Sequence, residues 1–317
     1  MTRSGMSLEP VSVKPTFEPE PAPASAESEA QQLLRRGSGS RMLLKMLAGV
    51  TLVAAVVLGF VYGADWLRAK EARDAPMKKF SAERATIGNP LWEDERPEHE
   101  IDLAAYELDL TEVTVAAYRA CFKSKVCGEP LKGAFCNWGP EDRDLHPINC
   151  VTHEQAAKYC SWAGKRLPTE KEWEHAARAA HDDPMMAKKD LFPWGVGAPD
   201  AARVNACGKE CTEHFAALGK KLPWLHEYDD GYPLTAPVDR FKDGDTPDGL
   251  SDMAGNVWEW TSSPWCVYPD ETCGNELELV IRGGGFQSYQ ARTFEATSRE
   301  GLGRLEATET VGFRCAR

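Results

Sequence analysis

The sequence predicts an α+β domain with little regular secondary structure, preceded by one transmembrane helix. Three observations predict it. From Met46 to Ala64 run nineteen residues without a formal charge, MLAGVTLVAAVVLGFVYGA. Further on, three helix starts are marked by capping residues, and beyond residue 180 clusters of Gly, Pro, Asp and Asn separate short apolar runs such as LELVIR and VGFRCA. That second pattern means short strands and long loops. Finally, ten cysteines offer the cross-links that so irregular a second half requires.

In chain order, residues 1–42 are rich in Pro, Glu, Ser and Ala, as in FEPEPAPASAESEA, and carry too little apolar surface to offset ordering entropy. They are expected to be a disordered cytoplasmic tail. Residues 43–65 are the transmembrane helix: at about 1.5 Å per residue the uncharged run nearly crosses a hydrocarbon core of about 30 Å. Arg35, Arg36, Arg41 and Lys45 precede it and Asp65 follows, which leaves the N-terminus in the cytoplasm, although Arg68, Lys70 and Arg73 oppose that asymmetry. A cleaved signal peptide would need a 45-residue charged leader and a shorter apolar core, so the segment is read as an uncleaved anchor. Residues 66–78 form a stalk, with the helix continuing as far as Asp74 before Pro76 interrupts it. Residues 79–317 are then the extracytoplasmic domain, periplasmic in a Gram-negative cell.

Within that domain Thr114 is placed to cap a helix over VAAYRACF. Thr152 with Gln155, and Thr169 with Glu172, have capping-box spacing and introduce AAKYCSWAG and KEWEHAARAA; Gly164 stands where a glycine ends the second of these helices. With 317 residues, 42% hydrophobic and 27% charged, the chain buries a sizeable core. Its net charge of −12 excludes a nucleic-acid binder, since no basic surplus exists to neutralise phosphates.

Four cysteine pairs lie close in sequence: Cys121 and Cys127, Cys136 and Cys150, Cys207 and Cys211, Cys266 and Cys273. Only Cys207 to Cys211 approaches the spacing of a zinc knuckle, and an exported chain favours disulfides over zinc. Their connectivity is left open by the sequence.

Seven segments in succession carry a family likeness. EVTVAAYRAC at 112–121, HPINCVTHEQAAKYCSWAGKRLPTEKEWEHAAR at 146–178, FPWG at 192–195, TAPVDRF at 235–241, GLSDMAGNVWEWTSS at 249–263, RGGGF at 282–286 and VGFRCAR at 311–317 resemble the signatures of the sulfatase-modifying factor, or formylglycine-generating enzyme, family in its own order. The resemblance implies a C-type-lectin-like α+β fold and one or two calcium ions. It also implies a disulfide between Cys160 and Cys315. Active members use oxygen and copper to convert a cysteine of a C-x-P-x-R segment to formylglycine.

One calcium set is carried over as the side chains of Asp252 and Glu259 with the carbonyls of Gly255 and Val257, hard oxygen donors on a loop that a glycine lets turn. Asp252 replaces an asparagine of some relatives. The other is carried over as Asn205, the Ala206 carbonyl, Asp230 and the Tyr232 carbonyl, a looser match because 207–214 is unfamiliar sequence. Without the resemblance both loops would read as solvated Asn/Asp-rich turns. Trp258, Trp260 and Trp265 read as core rather than as a stacking shelf. An iron site at His146 and His153 has no third ligand assembled around it.

Copper is not expected. The family's oxidases hold Cu(I) between two thiolates shortly after the R-G-G-S segment, because soft thiolates select Cu(I). Here Ser288 and Thr293 occupy those positions, and no cysteine lies between Cys273 and Cys315. Ala177 likewise stands where active relatives carry a cysteine of a second disulfide. The expected function is therefore a membrane-anchored, non-oxidase recognition or accessory domain for an extracytoplasmic protein, peptide or glycan. The alternative is an oxidase, or another oxidoreductase, using an unrecognised site on the same scaffold.

Overall fold

The computed structural model describes residues 26–178, 192–223, 229–268 and 277–317, with the side chains at 26–42, 55, 56, 58 and 60–62 left outside the description. Two compact units divide at Val61 and Tyr62. The first contains most of helix α1, Ala26–Arg73. This helix begins inside the stretch expected to be disordered, where AESEAQQLLRR is made of strong helix formers. Its described apolar side chains between residues 43 and 57, among them Leu43, Leu47, Val50, Leu52 and Val53, are exposed. Among the described residues no helix is long and apolar enough to cross a membrane; six side chains of the apolar run lie outside them. The helix ends one residue before Asp74, whose amide closes the last turn on Lys70.

The second unit, Tyr62–Arg317, is a mixed helix and strand fold. Strand β1, Met77–Phe80, pairs antiparallel with β4, Tyr106–Asp109, and β2, Glu83–Ile87, pairs antiparallel with β3, His99–Leu103. Helices α2, Val115–Lys123, α3, His153–Trp162, and α4, Glu170–Ala177, start where their capping threonines predict. Thr114 accepts from the Ala117 amide, and both expected capping boxes are closed in each direction. Gly164 follows α3 at φ +73°, the left-handed residue that stops a helix. Helix α5, Lys209–Ala217, was not foreseen: Gly208 at its start offers no side-chain cap.

The remaining strands form a four-stranded sheet in the order β7-β6-β5-β8. Here β5 is Trp258–Pro264, β6 Glu278–Arg282, β7 Arg299–Gly303 and β8 Val311–Gly312. The LELVIR run becomes β6, whereas VGFRCA contributes only two residues to a strand. The rest of VGFRCA crosses to other partners: Phe313 accepts from the Val113 amide, Cys315 from Asp109, and Ala316 bridges both Leu108 and Arg166. The main core lies between α2, α3 and the sheet, around Tyr118, Tyr159, Trp260 and Phe313. Trp260 is fully buried and Trp258 packs against the same core, as expected, whereas Trp265 is half-buried outside that core with the Arg299 guanidinium 4.5 Å over its ring.

Four disulfides join described residues: Cys121–Cys127, Cys136–Cys150, Cys160–Cys315 and Cys207–Cys211. Cys266 is also disulfide-bonded; its expected partner, Cys273, lies outside the described residues.

Candidate functional site

The loop leading into β5 positions the first set of candidate residues. Asp252, Gly255 and Asn256 all have left-handed backbone, at φ +56°, +77° and +58°. At Gly255 a Cβ would stand 2.3 Å from the carbonyl oxygen of Asn205, so only glycine lets the two strands of chain approach. The approach allows the Asn256 amide to donate to the Asn205 carbonyl at 3.0 Å. The two loops expected to hold cations are thus joined by one backbone hydrogen bond.

Around this loop three carboxylates are buried against one guanidinium. Glu259, with no exposure, accepts from Arg314 Nη2 on Oε1 and from Arg314 Nε on Oε2, both at 2.7 Å, and from Trp173 Nε1 at 2.8 Å. Asp252 Oδ2 accepts from the Asp239 amide at 2.7 Å. Glu112 is the residue that sequence reasoning missed. Its carboxylate accepts from Asn256 Nδ2 at 2.8 Å and from the Val257 amide at 3.2 Å, so it braces the loop from beneath. Its only sequence signal is its place at the head of EVTVAAYRAC.

Burial, with Asp252 and Glu259 adding repulsion, holds Glu112 well above the usual carboxylate range. Asp252 is raised to about 7, chiefly by burial, which Arg314 opposes and Asp245 and Glu259 reinforce. Arg314, with a smaller contribution from Lys242 at Asp252, leaves these three carboxylates short of positive charge, which is the electrostatic setting a bound cation relieves.

The other loop brings Asn205 and Ala206 against 229–232. Asp230 accepts from the Ala206 amide at 3.1 Å on Oδ2 and from the Tyr232 amide at 2.8 Å on Oδ1. The Ala206 carbonyl accepts from the Gly208 amide at 2.8 Å. Asn205 is 1% exposed; its Nδ2 donates to the Leu234 carbonyl at 3.0 Å while its Oδ1 has no partner. Asp230 is raised to about 7, by burial first and by Glu210 second.

A buried amide oxygen without a donor fits a cation better than it fits an empty turn. Among the described residues no three His, Cys, Asp or Glu side chains are gathered to hold one metal ion. What each loop offers is a pair of oxygen-bearing side chains completed by backbone carbonyls, a donor set that suits calcium.

The RGGG segment is held differently. Arg282, fully buried, donates to Glu170 at 2.7 Å and Glu174 at 2.8 Å, which ties β6 to α4. Ser288 is half-buried, with Oγ accepting from the Gly285 amide at 3.1 Å and its carbonyl accepting from the Cys207 amide at 3.0 Å. Thr293 is half-buried within the short 3₁₀ turn Ala291–Phe294. No free cysteine occurs among the described residues. Ala177 is buried in the core beside Trp173.

The histidines are separately engaged. His146 lies at hydrogen-bond distance from Thr235 Oγ1, and His153 Nε2 from the Thr261 carbonyl, each at 3.0 Å.

With this geometry in hand, comparison with known proteins is specific. The profile of the sulfatase-modifying factor enzyme 1-like domain matches residues 75–317. Formylglycine-generating enzyme of Mus musculus is 34% identical over 205 residues, covering 59% of this chain and 50% of the relative. Inactive C-alpha-formylglycine-generating enzyme 2 of Mus musculus is 33% identical over 177 residues, covering 54% and 48%. The chain therefore spans about half the length of the curated relatives it matches. Among solved structures, PvdO from Pseudomonas aeruginosa superposes with a TM-score of 0.56 at 23% identity, covering 77% of this chain and 95% of that one. At that identity the likeness concerns the fold.

Proposed function

This chain belongs to the sulfatase-modifying factor family, and on that footing we propose that it is a membrane-anchored, extracytoplasmic member without oxidase activity, a recognition or accessory domain for a protein, peptide or glycan. The observation that carries the reading is the chemistry at Ser288 and Thr293. Hydroxyl groups are hard and poorly acidic, so they do not replace a thiolate pair for Cu(I). Neighbouring described cysteines do not supply one, because Cys207, whose amide donates to the Ser288 carbonyl, is bonded to Cys211, and Cys315 is bonded to Cys160. One of the similar relatives is itself named as inactive.

Calcium is part of the proposal. Asp252 and Glu259 with the carbonyls of Gly255 and Val257, and Asn205 and Asp230 with those of Ala206 and Tyr232, would hold it. The bound ion supplies positive charge to buried oxygens and fixes loops that have little secondary structure of their own. The anchor is supported by the uncharged run from Met46 to Ala64 and by the exposure of apolar side chains at 43–57.

The test is to incubate the full chain with Cu(I), oxygen, a reductant and a C-x-P-x-R peptide and to look for the aldehyde by mass spectrometry. No product and no stoichiometric Cu(I) binding are expected. Turnover at an oxidase-like rate that is abolished by substitutions in this domain would restore the enzyme reading.

A further inference from the structure

The stretch from Cys207 to His214, foreign to the family pattern, sits directly beside the Asn205 and Asp230 loop and brings a third oxygen-bearing side chain to it. Glu210 lies in the first turn of α5, and both of its carboxylate oxygens are shielded from solvent without a hydrogen bond of regular geometry. Its nearest charges are acidic, Asp229 and Asp230. Among the described residues no lysine, arginine or histidine pairs with any of these three carboxylates. The amides of Glu210, Cys211 and Asp230 lean toward the Glu210 carboxylate, so its surroundings are electropositive only through the backbone.

The first-turn amides of Glu210 and Cys211 face this carboxylate, but neither reaches it with the geometry of a regular hydrogen bond. In the adjoining loop, Asn205 Oδ1 is equally unpartnered although the residue is 1% exposed. Three unsatisfied buried oxygens on two side chains, next to a carboxylate whose oxygens each accept one amide, are the donor side of a hard-cation site.

The disulfide explains how Glu210 is delivered. Cys207 directly follows Ala206, and Cys211 directly follows Glu210. The Cys207–Cys211 bond, with Cα atoms 5.0 Å apart, therefore clamps the first turn of α5 against the residue whose amide holds Asp230. Both sulfurs are buried, among Phe215 and Phe286.

We propose that Glu210 is a further ligand of the cation loop formed by Asn205 and Asp230, placed there by the Cys207–Cys211 disulfide, so that this loop binds calcium with two carboxylates in place of one. The inference rests on the calcium reading given above. Ligand charge count tunes calcium affinity, and an added carboxylate suits a site in which a tightly held ion serves structure.

The experiment uses the full chain in detergent, stripped with chelator, and titrates Ca²⁺ calorimetrically into the wild type, Asp230→Asn and Glu210→Gln. Terbium luminescence lifetimes in H₂O and D₂O then count the water molecules on the ion. The binding step lost in Asp230→Asn is expected to weaken at least about tenfold in Glu210→Gln, since even groups one step removed from a metal are worth about 10- to 100-fold. The bound lanthanide is expected to gain water in Glu210→Gln while circular dichroism stays unchanged. If Glu210→Gln keeps the wild-type affinity and water count while Asp230→Asn loses the step, Glu210 is not a ligand and the calcium reading stands. If the wild type shows no binding step, both fall.

Discussion

Replacing Arg314 by methionine removes the guanidinium that pairs with the buried Glu259, and its cost follows from what that guanidinium touches. It makes a two-pronged pair with Glu259 at 2.7 Å on each prong and donates to the carbonyls of Ser251 at 2.8 Å and of Asp109 and Leu110 at 3.2 Å. Arg314 and Glu259 both have no exposure. Removing one partner of such a pair costs about 3 to 5 kcal/mol, because the other charge stays buried without compensation. Three carbonyls that lose a donor place the value toward the upper end. For a domain of this size each kcal/mol moves the melting temperature by about 2–4 °C, so Arg314→Met should melt roughly 6–20 °C below the wild type. Differential scanning calorimetry in chelator reads this directly. The double variant Arg314→Met/Glu259→Gln should lose less than the two single losses added together, with a coupling of about 0.5–3 kcal/mol. A loss under about 1 kcal/mol for Arg314→Met, or strict additivity in the double variant, would refute the assignment of Arg314 as the charge that holds this loop together.

The disulfides should differ in worth with the loop each closes. Removing Cys160–Cys315, 155 residues apart, should cost about 5 kcal/mol in the chain-entropy description, against about 2 for Cys207–Cys211, 4 apart; urea melts of the paired serine variants check the ratio. Acid should destabilise the domain through His146, which burial first and Arg143 second depress from its ordinary 6.5 to about 4. The unfolded chain takes up the proton first, so stability present above pH 6.5 is lost as the pH falls toward 4. After allowance for partial solvation this amounts to about 1–3 kcal/mol, and His146→Asn should lose less over the same window. Topology is open to a direct assay: a reporter that is active only outside the cytoplasm should work when fused after Arg317. Activity only from an N-terminal fusion would invert the orientation.

What could be read from the sequence was what a few neighbouring residues decide among themselves. Thr152 and Gln155, or Thr169 and Glu172, form their capping boxes whatever the rest of the chain does, and Gly164 ends a helix because its own backbone can turn left-handed. Helix α5 was missed for the complementary reason: Gly208 gives no capping signal, and a disulfide between Cys207 and Cys211 fixes the first turn instead. Long-range pairs were legible only through the family likeness, as with Cys160–Cys315. Without such a likeness they were invisible, as with Glu112 reaching Asn256 across 144 residues. Glu259 shows the intermediate case. Its place in the candidate loop follows from the family likeness, but its burial and its pairing with Arg314 depend on how segment 311–317 threads back, which no local pattern encodes.

That threading has a consequence for how the molecule comes to exist. Phe313, Arg314, Cys315 and Ala316 have no exposure, and the segment they form lies between β4, Val113 and the turn at Arg166. Until this segment threads in, the main core lacks Phe313, the Asp252 and Glu259 loop lacks its guanidinium, and Cys160 has no sulfur to meet. The domain therefore closes through contacts between stretches far apart in sequence, whose loop-closure entropy is met before those contacts stabilise anything, so its assembly is expected to be governed by this one long-range docking event.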